Sequence, residues 1–452
     1  MAGPLDFDTL TQAFHRVLDL LPDTRRGKNI SYAAKDAALG AFSVVVTQSP
    51  SFLAHQQALR QAKGTSNAQS VFGITPIPCD NQIRTLLDRV PPAHFFPIFP
   101  IIIHALLEAE VIQRFHVLDQ TVLIAIDGTQ YFSSKRISCP SCSQKTSATG
   151  TVSFSHSALT PVIGAPDKAE GLALEPEVIT PQDGRAKQEC EQEAAKRWVR
   201  RQAPLLPFPK VTVLGDDLVC HQPLCELLIE HGWNFILVCK PDSHLTLYEW
   251  IAFIAAGDRL GVVRKRHWNG TFGEIWSYRF TTEVPLRGGD DALTVNWCDL
   301  TITHEQTGAQ LYHNAFATLH ALTEQTVVEV VAAGRARWKV ENETNNVLKT
   351  KGYHLEHNFG HGTQHLAAVL VTLNLLAFLF HTVFGLVDAK YQLLRAALGA
   401  RQTFCNDIRT LMRYLVFESW DHLLAFMIQQ LELVPPPTPV SPFPQNENCW
   451  GR

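Results

Sequence analysis

Val122-Leu123-Ile124-Ala125-Ile126-Asp127-Gly128 is an apolar run, rich in β-branched residues, that ends abruptly on an acid and a glycine. A short apolar run bounded by turn residues reads as a buried central strand meeting a loop. The pattern returns at Val211-Thr212-Val213-Leu214-Gly215-Asp216-Asp217, again a buried strand running into acid. Asn234 to Cys239 reads as a third strand, ending at Lys240. Between these strands, Arg185 to Arg201 reads as a helix, and Pro223 suits the first turn of another that reaches Glu230. Tyr131–Ser138 and Thr151–Ser155 are the expected partner strands of the first. Strands alternating with helices predict an α/β fold with an open sheet.

Outward from this centre the pattern becomes helical. Leu10, Phe14, Val17, Leu18 and Leu21 fall at helical spacing before Pro22, and amphipathic pieces continue to about Val117. Residues 1–117 therefore read as a helical N-terminal domain, and 118–388 as the central α/β domain. From His267 to Phe316 the sequence is strand-like and turn-rich, which predicts an inserted β-rich unit at about 260–320. Helices return at Thr323, with Gly334 expected to separate a short helix from a second at about Arg335–Lys351. Residues 389–434 form a helical C-terminal region, and the tail 435–452, opening on Pro435-Pro436-Pro437, is expected to be disordered.

Composition limits the classes available. The 452 residues are 46% hydrophobic and 18% charged, which excludes wholesale disorder. Lys plus Arg number 39 against 43 Asp plus Glu, a net charge of −4. That sum argues against a small, wholly basic nucleic-acid binder, though not against a basic groove on a mixed surface. Met1 to Asp8 lack the basic start and apolar core of a secretory signal, and ten cysteines in a chain this size are no disulfide framework. The expected location is cytoplasmic. Leu366–Val387 contains no Asp, Glu, Lys or Arg and is long enough to span a bilayer. Asn374 and His381 interrupt it, so it reads as a helix buried on all sides, with no membrane partner.

The chemistry points to three acids. Asp127 and Asp216 end two buried strands, and Glu341 lies on a later helix. The carboxyl edge of an open α/β sheet is where such folds build sites. Three carboxylates converging there would suit a pair of Mg²⁺ or Mn²⁺ ions, which prefer oxygen ligands and serve phosphodiester displacement. Asp217 is the rival to Asp216, which is preferred because it follows the strand and a small residue directly. On the Glu341 helix, Arg337 and Asn345 lie one turn to either side, and Lys349 two turns on. Trp338 suits either core packing or base stacking.

Ile126-Asp127-Gly128, Leu214-Gly215-Asp216-Asp217-Leu218 and Arg335-Ala336-Arg337-Trp338-Lys339-Val340-Glu341-Asn342-Glu343 together resemble bacterial insertion-sequence transposases of the DDE type. Arg337 and Glu341 match the family's signature spacing. Lys349 stands one residue later than usual, and Gly334 stands where many relatives have Tyr. The resemblance covers about Val122 to Val387 and implies an RNase H-like mixed-sheet core carrying an insertion. It also implies that Asp127, Asp216 and Glu341 bind the metal pair, that Arg337, Trp338 and Lys349 contact DNA, and that the enzyme cleaves transposon ends and joins the 3′-hydroxyl to target DNA. The working form would be a homodimer or a larger assembly on DNA. The rival readings are a metal-dependent nuclease or phosphohydrolase without strand transfer, and a domesticated, non-catalytic DNA-binding protein.

Other clusters have alternative readings. Cys139-Pro-Ser-Cys142, with His156 downstream, is half of a structural zinc site or a turn with two thiols. His354, His357, His361 and His365 follow the Glu341 helix and read as a structural or DNA-contacting loop, with a metal site as the rival. Arg25, Arg26 and Lys28, the run Lys196–Arg201, and Arg264-Lys265-Arg266 are basic stretches suited to phosphate. Asn342 and Glu343 read equally as groups orienting Glu341 or as helix surface.

Overall fold

The computed structural model describes residues 5–23, 25, 31–181, 187–357 and 359–436; Arg26, Lys28 and residues 437–452 of the proline-led tail lie outside them. The chain opens with α1 (Phe7–Leu18), α2 (Ala34–Val46), α3 (Phe52–Arg60), α4 (Gly64–Phe72), α5 (Asp80–Leu87) and α6 (Ile98–Glu108). Strands β1 (His116–Val117) and β2 (Thr121–Ala125) lead to Asp127, followed by β3 (Gly128–Ser134), β4 (Ser143–Thr146) and β5 (Val152–Leu159). Next come β6 (Val162–Gly164), β7 (Leu172–Ala173), β8 (Glu177–Ile179), α7 (Lys187–Gln202), β9 (Val211–Gly215), α8 (Gln222–Glu230), β10 (Asn234–Val238) and α9 (Leu245–Ala256). Four long strands follow, β11 (Gly261–Trp268), β12 (Gly273–Pro285), β13 (Thr294–His304) and β14 (Gln310–Thr318). The chain then forms α10 (Val327–Arg335), a π-helical turn (Val340–Asn345), α11 (Asn346–Thr350), α12 (Leu366–Val387), α13 (Ala389–Leu398), α14 (Arg401–Tyr414) and α15 (Trp420–Gln430).

The main sheet has the order β11-β12-β13-β14-β10-β9-β2-β6-β7. Pairing is parallel at β2/β9 and β9/β10 and antiparallel elsewhere along that path, so the protein is a mixed-sheet α/β fold with helical flanks. Every residue of β2 and β9 is buried, as expected for strands covered on both faces. The inserted strands β11 to β14 form a meander, and β14 joins it to the sheet by pairing Phe316 with Val238 of β10.

Two expectations are corrected. The segments Tyr131–Ser138 and Thr151–Ser155 do not flank β2. They contribute to β3 and β5 of a second sheet, ordered β3-β5-β4 with β8 on β5. β3 mixes buried and exposed side chains, which suits a small sheet with a solvent face. The fully buried Val162-Ile163 of β6 flanks β2 instead, with Leu172-Ala173 of β7 next outward on β6, and both are too short to reveal themselves by periodicity. The break expected at Gly334 falls two residues later: α10 ends at Arg335 and the chain turns at Ala336-Arg337 before the helix carrying Glu341. A Cβ at Gly334 would lie 2.7 Å from Ile236 and 2.9 Å from Phe316, so glycine lets α10 seat closely on β10 and β14.

The apolar stretch Leu366–Val387 is α12, and 83% of its most apolar 18-residue window is buried inside the protein. It packs on α2 and α5 from the N-terminal part and on β7 of the sheet. Helices from both ends of the chain meet there. Phe7 stacks on Trp420 at 4.3 Å, and Phe42 meets Phe380 edge-on at 5.0 Å. Asp88 holds the start of α12. Its Oδ1 accepts from the N–H groups of Gln364, His365 and Leu366 at 3.0 Å, and its Oδ2 from Thr363 at 2.9 Å. Burial opposes ionisation of Asp88, but these donors overcome it and pull the carboxyl down to about 2.

Candidate active site

The parallel pairing of β2 with β9 sets the site. Ala125 lies beside Leu214, and the Ile126 N–H donates to the Leu214 carbonyl at 2.9 Å. Two residues further along this register, Asp127 stands beside Asp216. Gly215 allows the chain to turn there, since a Cβ would lie 2.2 Å from Val219 and 3.0 Å from Leu237. The turn is tightened by Asp216 Oδ1, which accepts from the Leu218 N–H at 3.0 Å. Asp217 faces elsewhere. Its Oδ1 accepts from the Lys240 N–H at 2.7 Å, its Oδ2 takes the Ser243 hydroxyl, and His244 Nε2 lies 3.5 Å away. Asp217 thus ties the loop after β9 to the loop after β10.

Glu341 sits on the π-helical turn, 4.0 Å from Arg337, and more than half of its side chain is exposed. The half-buried Asp127 feels this whole group. Burial pushes its carboxyl up to about 6; the Arg337 guanidinium opposes that rise, and Asp216, Glu341 and Glu191 add to it. These groups act on Asp127 electrostatically; among the described residues, the His, Cys, Asp and Glu ligand atoms that lie within 4.8 Å of one another are those of a different cluster. Glu191, on α7, was not singled out in the sequence. A Cβ at Gly128 would lie 3.1 Å from its carboxyl, so the glycine after Asp127 leaves that carboxyl its space.

The helix carrying Glu341 is tied to the strand carrying Asp127. The Thr160 N–H donates to the Asp127 carbonyl at 3.0 Å, and the Thr160 hydroxyl reaches Asn345 Oδ1 at 3.0 Å. The π turn also explains the spacing of Lys349. A π turn holds one residue more than an α turn, so a lysine one position late returns to the face of Glu341. Lys349 pairs with Glu356 at 3.0 Å. Trp338 is 44% exposed, with Lys339 Nζ, which donates to the Lys168 carbonyl, 5.5 Å from its ring. Arg335 lies between the rings of Trp276 and Tyr312, at 4.8 and 4.9 Å, and so bolts the helix to the inserted strands. Asn342 bonds along its own helix to the Trp338 carbonyl and Asn346, and so behaves as helix surface.

The basic runs divide. Within 196–201, Lys196 pairs with Glu193, Arg197 with Glu177, and Arg201 with Glu175 and Glu177, while Trp198 is fully buried. Most of that run is internal structure, which corrects its reading as a phosphate contact. Arg25 bonds to Asp23 and the Tyr32 carbonyl. Arg264, Lys265 and Arg266 are exposed on the edge strand β11, with Arg266 paired to Glu305.

A second cluster lies in the small sheet. Cys139 Sγ, Cys142 Sγ, His156 Nε2 and His361 Nε2 all lie within 4.8 Å of one another. His361 completes the set that the sequence left at three. In the absence of metal, burial holds the His156 imidazole down at about 4, with His361 adding to the effect, and burial pushes the Cys142 thiol up to about 11. The other histidines of that stretch are not part of it: His365 caps α12, and His357 packs against Phe359 at 4.7 Å.

No protein-family model matches the chain, and no curated protein matches it. The functional reading therefore rests on residues and geometry.

Replacing Asp217 by Ala is expected to cost about 1–3 kcal/mol, because the Lys240 N–H and Ser243 hydroxyl lose their acceptor. Asp216→Ala loses a single acceptor, that of the Leu218 N–H, and relieves like-charge repulsion on Asp127, so it should lower the melting temperature less. Thermal denaturation of the two variants checks this, and equal losses would erase the distinction. Asp127 gives a pH signature. Its folded-state value is raised, so its contribution to stability is present below about pH 4 and is lost as pH rises through about 6. In EDTA, Asp127→Asn should therefore melt above the wild type at pH 7, with the gap closing by pH 4. A gap that does not vary with pH would contradict the assigned environment.

Proposed function

We propose that this protein is a DDE-type DNA transposase whose catalytic core has the RNase H-like arrangement. The observation that carries this is the register bringing Asp127 alongside Asp216, with Glu341 and Arg337 close enough to move the Asp127 carboxyl. The strand path supports it. In β7-β6-β2-β9-β10 the first strand is central, with an antiparallel hairpin on one side and two parallel strands on the other. The inserted meander falls between the last of these strands and the helix bearing Glu341, as the resemblance implies.

The residues fit a pair of hard divalent cations. The donors are oxygen throughout, and Asp127, raised mainly by burial and further by the neighbouring acids, would gain from a cation beside it. Asp127, Asp216 and Glu341 would hold Mg²⁺ or Mn²⁺, which when bound would supply activation of the attacking oxygen and stabilisation of the leaving one. The side chains form no covalent bond to DNA in this scheme. Water attacks the phosphodiester at the element end and releases a 3′-hydroxyl, which then attacks a phosphodiester of the target. Asp127, raised to about 6, is mostly ionised at neutral pH and so available as an oxygen ligand. Arg337 offsets part of the carboxylate charge and holds Glu341 toward the strands. Trp338 offers an exposed ring for a base, and Lys339 beside it a charge for phosphate.

The test uses the full chain with duplex DNA taken from the inverted repeats expected to bound its reading frame, in Mg²⁺ or Mn²⁺. Expected are cation-dependent cleavage and joining of the 3′-hydroxyl to a plasmid, with Asp216→Ala abolishing both while leaving DNA binding measurable. Cleavage without joining would make the protein a metal-dependent nuclease. Full cleavage by Asp216→Ala would sink the metal assignment.

A further inference from the structure

The structure assigns Cys139, Cys142, His156 and His361 to a tetrahedral zinc site that staples the strands following Asp127 to the loop following the Glu341 helix. The pairwise distances already describe a coordination shell. The sulfurs are 3.8 Å apart, Cys139 Sγ and Cys142 Sγ lie 3.5 and 3.4 Å from His156 Nε2, Cys142 Sγ lies 3.3 Å from His361 Nε2, and the two nitrogens are 3.0 Å apart. A tetrahedron with Zn–S of about 2.3 Å and Zn–N of about 2.0–2.1 Å has edges of about 3.8, 3.6 and 3.4 Å for S–S, S–N and N–N. Two thiolates and two imidazoles with no carboxylate select zinc over the hard cations suited to the acidic site.

The surroundings orient the ligands for a metal. Cys139 and Cys142 lie on one tight turn, with the Cys142 N–H donating to the Cys139 carbonyl at 3.1 Å. The Cys139 N–H approaches Cys142 Sγ at 3.4 Å, a contact that favours thiolate. His361 Nδ1–H donates to the Gly362 carbonyl at 2.8 Å, which leaves the Nε2 lone pair facing the sulfurs. The loop bearing His361 is itself clamped. Arg84 Nε donates to the Phe359 carbonyl at 2.8 Å, and Asp88 holds Thr363 to Leu366. Gly362, at φ +69°, leaves no room for a Cβ beside Asp88, so only glycine fits this approach.

The ligands come from segments more than 200 residues apart in sequence: His156 and His361 are separated by 205 positions. β3 begins at the residue after Asp127, and the His361 loop follows α11, which continues from the Glu341 turn. Zinc would thus fix two of the three acid-bearing segments against each other. This consequence for activity rests on the transposase reading; zinc binding does not.

The experiment is metal analysis of the full chain, purified without a metal-chelating tag from zinc-supplemented medium, together with Co²⁺ substitution. Expected are one zinc per chain and the visible bands of tetrahedral Co²⁺ bound by thiolate. Cys142→Ser and His361→Ala should lose the metal, Cys220→Ser should keep it, and His361→Cys should retain it with a shifted Co²⁺ spectrum. A metal-free wild-type protein, or an unchanged Co²⁺ spectrum in His361→Ala, would overturn the site. Zinc bound without DNA cleavage would count against the transposase reading alone. Cleavage by a zinc-free protein would count against the zinc site alone.

Discussion

Ala125 and Leu214 lie side by side in parallel strands, and the rest of the site depends on that register. A slip of one residue would bring Asp217 rather than Asp216 alongside Asp127. Both strands are buried on both faces, so alternation of polar and apolar residues does not by itself set their register. Contacts beyond the strands do so. Val219 packs where a Gly215 side chain would stand, and Asp217 is committed to the Lys240 N–H and the Ser243 hydroxyl. The second of two adjacent acids ties the loop after β9 to the loop after β10, while the first holds only the Leu218 N–H of its own turn.

Such a site works against its own fold. Four carboxylates gathered around a single guanidinium repel one another, and a half-buried Asp127 bears the consequence. The scaffold must hold them there. It does so through the Thr160 link between Asp127 and Asn345, through Arg335 wedged between Trp276 and Tyr312, and through the buried α12 with helices from both chain ends around it.

Much of this was legible in the sequence. The apolar pentapeptides, their terminal acids, α7, α8 and the inserted meander are strong local patterns, and they appear where the residues predicted them. What escaped reading was non-local. Val162-Ile163, the antiparallel neighbour of β2, is too short to carry a period, as is Leu172-Ala173 beyond it, so the partners of β2 were misassigned. Glu191 carries no mark in a charged helix and matters because Gly128 gives its carboxyl room. His361 lies 219 positions from Cys142, and only the fold brings them together. Gly334 suggested a break, which falls two residues on at Ala336-Arg337, while the glycine itself permits a close approach to β10 and β14. The late position of Lys349 follows from the π turn, whose extra residue no helical wheel anticipates.

The central claim is that Asp127 and Asp216 face one another to hold divalent cations, with Glu341 completing the set. Its most direct test is a crystal structure of the full chain with Mn²⁺, read by anomalous scattering. The account predicts a peak bridging the carboxylates of Asp127 and Asp216, with oxygen ligands at roughly 2.0–2.2 Å. A peak on Asp217 instead, or none between the two strand ends at saturating Mn²⁺, would contradict it.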